Sequence, residues 1–329
     1  MLSYLQLFRW PNLLVVVLTQ VLFRYGIVLP LLASQGISPQ LSHADFFILV
    51  LSTVLLCAAG YAINDYFDLR ADRINKPRQI VLGRKISRRK AILYHSIFNL
   101  LGLLGGIYLS LRVGHWPLLL IFLVVPTLLW MYSIRYKKRF LIGNLLVALL
   151  SALVVSIVWV FESHALTPDA LNETASVTIS YFSRIYALFA FLTTLTREVI
   201  KDIEDIKGDV KTGCRTIPIV SGIHATKRLV IFLILGMIFF VAWFQIYILR
   251  RDFDLMFTYL LLTVQIPFIL MINKVYTAKE KDDYRSLSRF AKLIMVAGVI
   301  TMFIFSFYLH DGFPLELDTT PLPDPAILP

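Results

Sequence analysis

The chain has 329 residues, 58% of them hydrophobic, and its mean hydropathy is +0.74. Soluble domains contain about 45–50% apolar residues, so this composition excludes an ordinary water-soluble domain and predicts a polytopic membrane protein. The formal net charge is +11, but a basic excess in a membrane protein follows from topology without any nucleic-acid partner. The two cysteines, Cys57 and Cys214, lie in different settings and predict no disulfide framework.

Nine segments of the chain are apolar for long enough to cross a bilayer, which takes about 20 residues. Together they predict an all-α fold, a polytopic bundle of nine transmembrane helices. The predicted spans are 11–34, 45–66, 90–111, 116–134, 141–161, 180–197, 228–249, 255–273 and 289–309.

Lys and Arg are distributed unequally between the two sides of the predicted bundle. The N-terminal segment and the connections on its side carry 26 of the 32 Lys and Arg residues, and the opposite side carries three. By the positive-inside rule the basic side is cytoplasmic. We therefore expect a cytoplasmic N-terminus and an outer C-terminus. Membrane lipids are the expected partners of the basic residues, and nucleic acid is not.

The sequence contains no linker that would separate two domains. We predict a single transmembrane domain over residues 1–313 and a Pro-rich, disordered tail over residues 314–329. The outer connection 162–179 is polar and is long enough for a small cap.

An acidic motif follows the second predicted span, in the run Asn-Asp-Tyr-Phe-Asp-Leu-Arg-Ala-Asp that begins at Asn64. Asp65, Asp68 and Asp72 are spaced i, i+3 and i+7, which on a helix places their carboxylates within about 60° of arc. Because like charges on one helical face repel each other, we expect a cation to lie beside them.

The same spacing recurs after the sixth predicted span, at Asp202, Asp205 and Asp209. Glu198, about one helical turn earlier, joins that face. Four spans separate the two motifs, so both fall on the same basic side of the membrane. The repeated spacing indicates an internal duplication with a weak sequence signal.

Carboxylates in this arrangement suit hard cations that prefer oxygen ligands. Mg²⁺ takes one or two carboxylates together with waters and the phosphate oxygens of a substrate. Two such faces at one membrane surface therefore predict Mg²⁺ ions that bridge a diphosphate. The alternative interpretation is a set of solvated acidic residues that balance the basic connections. It is the weaker one, because the same spacing occurs twice, each time beside a span.

The two motifs resemble the signatures of the UbiA superfamily of intramembrane prenyltransferases, and the nine-span layout is similar as well. The resemblance implies an all-helical bundle around a central cavity. It also implies Mg²⁺-dependent transfer of a prenyl group from a prenyl diphosphate to an acceptor. The matching runs are Asn64-Asp65-x-x-Asp68-x-x-x-Asp72 and Asp202-x-x-Asp205-x-x-x-Asp209.

The resemblance assigns roles to the residues of both motifs and to some of their neighbours. Four aspartates are predicted to act in catalysis: Asp65, Asp68, Asp202 and Asp205. All six aspartates are predicted metal ligands: Asp65, Asp68, Asp72, Asp202, Asp205 and Asp209. Six further residues are predicted to bind the substrate: Asn64, Arg197, Lys201, Tyr132, Lys137 and Arg139. The alternative for the two basic residues before the second motif is a positive-inside role alone.

The sequence leaves open the roles of three other polar residues. Arg9 precedes the first span, and we interpret it as a helix anchor in preference to a contact with an anionic acceptor. Asn144 begins the fifth span and is either a helix-packing residue or part of the site. Arg24 lies inside the first span, where a charge is costly unless it meets a cavity or a partner, and the sequence assigns it no role.

The continuation of the first motif indicates the acceptor. The run Asp72-Arg-Ile-Asn-Lys-Pro is most similar to the branch of the family that uses geranylgeranylglycerol phosphate, and also resembles the chlorophyll synthase branch. After this run the chain departs from the family's usual Arg-Pro-Ile-x-x-Gly pattern, because Gln79 occupies the position of the proline. We expect a prenylglycerol phosphate lipid as the acceptor. The alternative is an aromatic acceptor of the quinone, 4-hydroxybenzoate or chlorophyll type.

A cation-coupled transporter is an alternative of another class. Transporters hold their coupling sites near the bilayer midplane. Both acidic motifs of this chain instead lie at the ends of spans, beside basic residues. Their position favours a diphosphate site.

Overall fold

The computed structural model describes residues 2–77, 80–249 and 253–310. In these ranges nine helices are long and apolar enough to cross a membrane. The predicted all-α bundle of nine transmembrane helices is thereby confirmed, while the predicted tail 314–329 lies outside the described residues. The helices, α1 to α9, are Trp10–Ser34, His43–Asn75, Arg88–Val113, Trp116–Ile134, Ile142–Ala165, Thr174–Lys211, Ile223–Leu249, Asp254–Thr277 and Lys281–His310.

The two helices that carry the acidic motifs are longer than predicted. α2 has 33 residues and α6 has 38, which at 1.5 Å per residue is about 50 and 57 Å, against a hydrocarbon core of about 30 Å. The predicted connections 67–90 and 197–228 are wrong in their first part, because α2 continues to Asn75 and α6 to Lys211. Hydropathy marks where a helix leaves the bilayer, and both helices continue beyond that point.

Local sequence explains where α2 and α3 begin. The Ser42 side chain accepts a hydrogen bond from the Asp45 backbone N–H at 3.1 Å, and the Asp45 carboxylate accepts one from the Ser42 N–H at 3.2 Å. This reciprocal pair satisfies two backbone donors that would otherwise lack partners. Ser87 caps α3 through the Lys90 N–H. Both helices therefore start at fixed positions.

The helices pack with their small residues at the contacts, as is usual in membranes. α2 lies against α3, α5 against α6, and α6 against α9. Gly106 of α3 faces the ring of Phe122 on α4, where a Cβ atom would overlap the ring. The central apolar core includes the fully buried Phe23, Phe161 and Phe182.

A second, smaller apolar cluster lies at the end of the bundle where the motifs are. It packs the short helix Leu2–Leu7 and the loop 80–87 against the start of α3 and against Tyr66 of α2. The cluster thereby holds Arg9 near the first motif. Its buried members are Leu7, Val81, Leu82, Ile86 and Ala91.

The charge inside α1 has a partner. Arg24 is 1% exposed, and its Nη1 lies 2.7 Å from Oε2 of Glu162 on α5. Its Nη2 donates to the Leu41 carbonyl at 2.5 Å, and its guanidinium lies over the Phe46 ring. This pairing offsets the cost of a charge within the span. It joins α1 and α5 at the end of the bundle opposite the motifs.

Candidate active site

The first acidic motif lies on one continuous helix, as its spacing predicted, and cations lie beside it. The Arg9 Nη2 donates to Asp65 Oδ1 at 2.8 Å. Lys137, in the connection between α4 and α5, forms an ion pair with Asp68 and reaches the Asn64 side-chain oxygen at 3.5 Å. The positive charge expected next to this motif therefore comes from two segments that are distant in the sequence.

The second motif is held by residues from α5 and from the end of α2. The Asn144 Nδ2 donates to Asp202 Oδ2 at 2.9 Å. The Lys76 Nζ lies 3.0 Å from Asp205 Oδ2. The other carboxylate oxygen of Asp205 is buried and has no hydrogen-bond partner among the described residues. That oxygen is available as a ligand.

The two motifs meet directly through Asn75, at the end of α2. Its Nδ2 donates to the Asp205 backbone carbonyl at 2.8 Å, and its Oδ1 accepts from the Gly208 N–H at 2.9 Å. Asp72 and Asp209 also lie close enough for their charges to repel each other. The aspartate faces of α2 and α6 therefore border one common space.

Glu198 has its own cations. Its Oε1 accepts from the Arg197 Nη1 at 2.8 Å, and its Oε2 from the Lys201 Nζ at 3.1 Å. The sequence placed Glu198 on the acidic face, but in the structure two basic residues share this one carboxylate. The group carries a net positive charge next to the aspartates.

Burial and neighbouring charges shift the acid–base behaviour of the cations outside the spans. Burial lowers the pKa of the Lys137 ammonium to about 7. For Lys76, burial disfavours the charged form, but the carboxylates of Asp205, Glu204 and Asp72 together outweigh it and raise the pKa above the ordinary value. Arg9 behaves likewise, because Asp65 raises its pKa against the effect of burial. Lys137 is thus the cation of these three that loses a proton most easily.

The two remaining predicted substrate-binding residues differ in position. Tyr132 of α4 is partly buried and lies close enough to Glu198 and Asp202 to feel their charges. Arg139 is exposed, and within the described ranges no hydrogen bond or ion pair joins its side chain to the site. The structure brings Tyr132 into the site and leaves Arg139 at its edge, so a role for Arg139 stays a prediction.

Three residues of the site were missed or undervalued in the sequence. Arg9 was interpreted as an anchor, but it pairs with Asp65. Asn144 was left between two interpretations, and its bond to Asp202 places it in the site. Lys76 received no role, because its partner is 129 residues away along the chain. For Arg9 and Asn144 the signal was a polar residue at the predicted end of a span, on the side where the motifs lie. Lys76 lies ten residues beyond the predicted end of the second span and had no such signal.

The donor set of the site consists of oxygen atoms and fits a hard divalent cation. In the part of the chain that the structure describes, no three His, Cys, Asp or Glu side chains are already gathered as a metal site. Ammonium and guanidinium groups instead lie against Asp65, Asp68 and Asp205. The unpartnered oxygen of Asp205 could accept a metal ion without losing a hydrogen bond.

An apolar cavity opens between α2, α4 and α5, on the membrane side of the motifs. Its solvent-accessible volume is about 70 Å³. Cys57 in its wall precedes Asn64 by seven residues, or about 10 Å along α2. Along α2 the cavity therefore lies one to two turns from the start of the first motif, on its membrane side. Its walls include Thr53, Leu56, Cys57, Phe122, Leu129 and Val154.

The model of the UbiA prenyltransferase family matches residues 8–307. The chain belongs to this family and is a multi-pass membrane prenyltransferase. The resemblance drawn from the two motifs is confirmed.

Relatives with assigned names include digeranylgeranylglyceryl phosphate synthases. The one from Methanosphaera stadtmanae is 29% identical over 251 residues, which is 76% of this chain and 84% of that protein. The one from Sulfurisphaera tokodaii is 32% identical over 250 residues, 74% of this chain and 81% of that protein. The match to the protein from Methanothermobacter thermautotrophicus is shorter, 35% identity over 55% of this chain and 58% of the relative.

Solved structures share the fold at lower identity. A structure of digeranylgeranylglyceryl phosphate synthase aligns with a TM-score of 0.60 and 23% identity, over 93% of this chain and 98% of that one. A UbiA homologue from Archaeoglobus fulgidus, bound to DMAPP and Mg²⁺, aligns with a TM-score of 0.55 and 17% identity, over 94% and 100% of the two chains. These alignments support the helical architecture.

Proposed function

We propose that this enzyme transfers a prenyl group of geranylgeranyl type from its diphosphate to a prenylglycerol phosphate lipid, with Mg²⁺ as the cofactor. The observation that carries the proposal is the direct junction of the two aspartate faces through Asn75, above an apolar cavity. A diphosphate would bind between the faces, and its hydrocarbon tail would enter the apolar cavity. The names of the relatives support the lipid acceptor, and the homologue bound to DMAPP and Mg²⁺ supports the donor and the metal.

The motif aspartates are the residues that would hold the metal. Mg²⁺ would neutralise the charge that develops on the departing diphosphate. Arg9, Lys76 and Lys137 pair with aspartates in the structure. With metal on the carboxylates, these three side chains would turn to the diphosphate oxygens and stabilise the leaving group further. Asn144 would keep Asp202 oriented through its hydrogen bond.

The reaction that this arrangement supports is a substitution at an allylic carbon. The bond between the allylic carbon and the diphosphate oxygen breaks, and its electron pair leaves with the diphosphate. The hydroxyl oxygen of the acceptor forms the new ether bond and loses its proton. Water would compete for the same carbon, so apolar walls around the tail protect the reaction.

We also propose that the site faces the cytoplasm. Of the 32 Lys and Arg residues, 26 lie on the side of the predicted bundle that carries both motifs. The positive-inside rule favours the cytoplasm for such a side. The donor diphosphate would then reach the site from the cytoplasmic face of the membrane.

The proposal is tested with purified protein in lipid nanodiscs, supplied with geranylgeranyl diphosphate, Mg²⁺ and one acceptor at a time. We expect geranylgeranylglycerol phosphate to give an ether product, detected by mass spectrometry, together with one released diphosphate per product. Transfer to 4-hydroxybenzoate but not to the lipid would show that the acceptor is aromatic and not a prenylglycerol phosphate. No diphosphate release with any acceptor would favour the transporter.

A matched pair of variants distinguishes loss of a site residue from the general effect of removing one negative charge on transfer activity. Asp68 belongs to the first motif, whereas Asp169 is exposed in the connection between α5 and α6. Asp68→Asn should lose transfer, and Asp169→Asn should retain it. Equal activity of the two variants would contradict the assignment of Asp68 to the active site.

A further inference from the structure

A second group of cations lies on the membrane side of the aspartates. Lys292 of α9 is partly buried, and its Nζ donates to the Asn12 side-chain oxygen of α1 at 2.6 Å. Among the residues that the structure describes, no carboxylate pairs with Lys292. An ammonium inside a predicted span with only a neutral partner is costly, and such residues mark functional sites.

The residues around Lys292 come from three other helices, α1, α2 and α6. The Asn12 side chain also contacts the Tyr61 hydroxyl of α2, and the Arg9 guanidinium lies 5.0 Å from the centre of the Tyr61 ring. Arg197 of α6 is close enough to Lys292 for the two positive charges to repel each other. Tyr61 precedes Asp65 by four residues, and Arg197 precedes Asp202 by five. The group therefore lies about 6–8 Å deeper along the helices than the aspartates.

The charges of this group do not balance. Lys292, Arg197 and Lys201 contribute three positive charges, and Glu198, which pairs with two of them, contributes one negative charge. The Asp202 carboxylate also lies near Lys201, but it is a predicted metal ligand and its charge would be taken up by the metal. The Nε of Arg197 is buried and has no hydrogen-bond partner in the described part of the chain. An excess of two positive charges and a free donor in a poorly solvated place will attract an anion. Arg9 does not add to the excess, because Asp65 compensates it.

We propose that Lys292 and Arg197 bind the phosphate monoester of the lipid acceptor, and that this contact selects a phosphorylated acceptor. The inference rests on the proposed function. A phosphate monoester carries about −1.5 to −2 charges at pH 7 and matches the excess, whereas an aromatic carboxylate supplies one. The site lies beside the diphosphate site and above the apolar cavity, so it would hold the acceptor's headgroup next to the donor.

The test compares two acceptors that differ only in the phosphate, geranylgeranylglycerol phosphate and geranylgeranylglycerol. Lys292→Gln removes the charge and keeps a hydrogen-bonding side chain for Asn12. Lys292→Arg keeps the charge. Lys274→Gln is the matched control, because Lys274 is exposed near the end of α8. Steady-state kinetics give KM for the acceptor and for the donor separately, and binding of radiolabelled acceptor is measured without Mg²⁺.

We expect Lys292→Gln to raise KM for the phosphorylated acceptor by about 10- to 100-fold, the usual loss for a hydrogen bond to a charged group. Binding of that acceptor without Mg²⁺ should weaken similarly. Donor KM should stay within about twofold, and Lys292→Arg should recover most of the affinity. With the acceptor that lacks phosphate, Lys292→Gln and the wild type should be equal.

An equal loss with both acceptors would assign Lys292 to structure alone and overturn the inference. A rise in donor KM alone would make the group part of the diphosphate site and overturn it as well. If Lys292→Gln does not fold, a normal KM for the phosphorylated acceptor in Arg197→Gln would overturn it too. In each of these results the wild type still uses the phosphorylated lipid. Failure of the wild type to use that lipid would instead overturn the proposed function.

Discussion

Asn75 and Gly208 join the two motif helices at one point. The Gly208 N–H donates to the Asn75 side-chain Oδ1 at 2.9 Å. The Nδ2 of the same Asn75 side chain donates to the Asp205 backbone carbonyl at 2.8 Å. Both ends of the amide are therefore used between α2 and α6. Since one motif lies just before Asn75 and the other surrounds Gly208, this contact sets the separation of the two aspartate faces.

The first prediction follows from the closeness of this contact. A Cβ atom at Gly208 would lie 2.8 Å from the Ala71 backbone carbonyl oxygen and would overlap the Asn75 side chain. Gly208→Ala should therefore push α6 away from α2 and reduce turnover at least about tenfold, because a small misplacement of reacting groups has large effects. Diphosphate release measures the turnover.

Gly236→Ala is the control for this substitution. Gly236 lies in α7, and apart from the backbone of its own helix no atom of the described residues lies within 4 Å of a Cβ atom placed there. The variant should keep its turnover and be slightly more stable, since alanine favours a helix by about 1 kcal/mol over glycine. Equal turnover in the Gly208 and Gly236 variants would show that the helix contact does not control the site.

The second prediction concerns the buried ion pair of Arg24 and Glu162. Glu162 is fully buried, and its Oε1 also accepts from the Gln40 backbone N–H at 2.6 Å. Glu162→Ala would leave the guanidinium unpaired, which costs about 3–5 kcal/mol in buried pairs. We expect a clear fall in the midpoint of thermal unfolding in detergent. Glu173→Ala, at an exposed position between α5 and α6, should change it little. Equal midpoints would mean that the pair contributes nothing to stability.

The sequence predicted those features that depend on local pattern. Hydropathy gave the number and order of the spans, because membrane crossing requires a long apolar run whatever the helix contacts. The spacing of Asp65, Asp68 and Asp72 gave their common face, because it follows from the helical period alone. Neither argument needs a tertiary contact.

The residues that the sequence did not place have partners far along the chain. Lys76 and Asp205 are 129 residues apart, and Arg24 and Glu162 are 138 apart. A single sequence has no signal for such pairs, since a lysine in a connection on the basic side of the bundle fits the positive-inside rule equally well. The lengths of α2 and α6 were missed for a related reason: their last turns are polar and are supported by contacts with each other.

The third prediction concerns the metal. The motif aspartates supply only oxygen ligands, which suit Mg²⁺ or Mn²⁺. Turnover should require one of these ions, be abolished by EDTA and return when Mg²⁺ is added back. Inductively coupled plasma mass spectrometry of the EDTA-treated protein confirms that the metal has been removed. Full turnover of that preparation would contradict a metal held by the two motifs.

The fourth prediction concerns topology. A reporter fused after Pro329 should behave as extracytoplasmic, because the charge distribution places the N-terminus inside and nine spans follow it. A reporter fused after Ala278, in the connection between α8 and α9, should behave as cytoplasmic. The pair is measured as alkaline phosphatase and green fluorescent protein fusions. The reverse result at both positions would place the aspartates on the outer side.

The fifth prediction weighs the two motifs against each other. Asp65 and Asp202 lie on different helices and have different partners, Arg9 and Asn144. If both hold metal around one diphosphate, Asp65→Asn and Asp202→Asn should each reduce turnover by orders of magnitude. Folding should survive, because an amide has nearly the shape of the carboxylate, and gel filtration in detergent checks this. Turnover is measured at saturating Mg²⁺.

The double variant distinguishes one shared site from two independent contributions. Residues that act as a unit show strongly non-additive losses, so the double variant should lose little beyond either single variant. Independent contributions would instead multiply. If Asp202→Asn keeps near-normal turnover while Asp65→Asn has none, the second motif is a solvated acidic face. The diphosphate site would then consist of Asp65, Asp68 and the cations that contact them, Arg9 and Lys137.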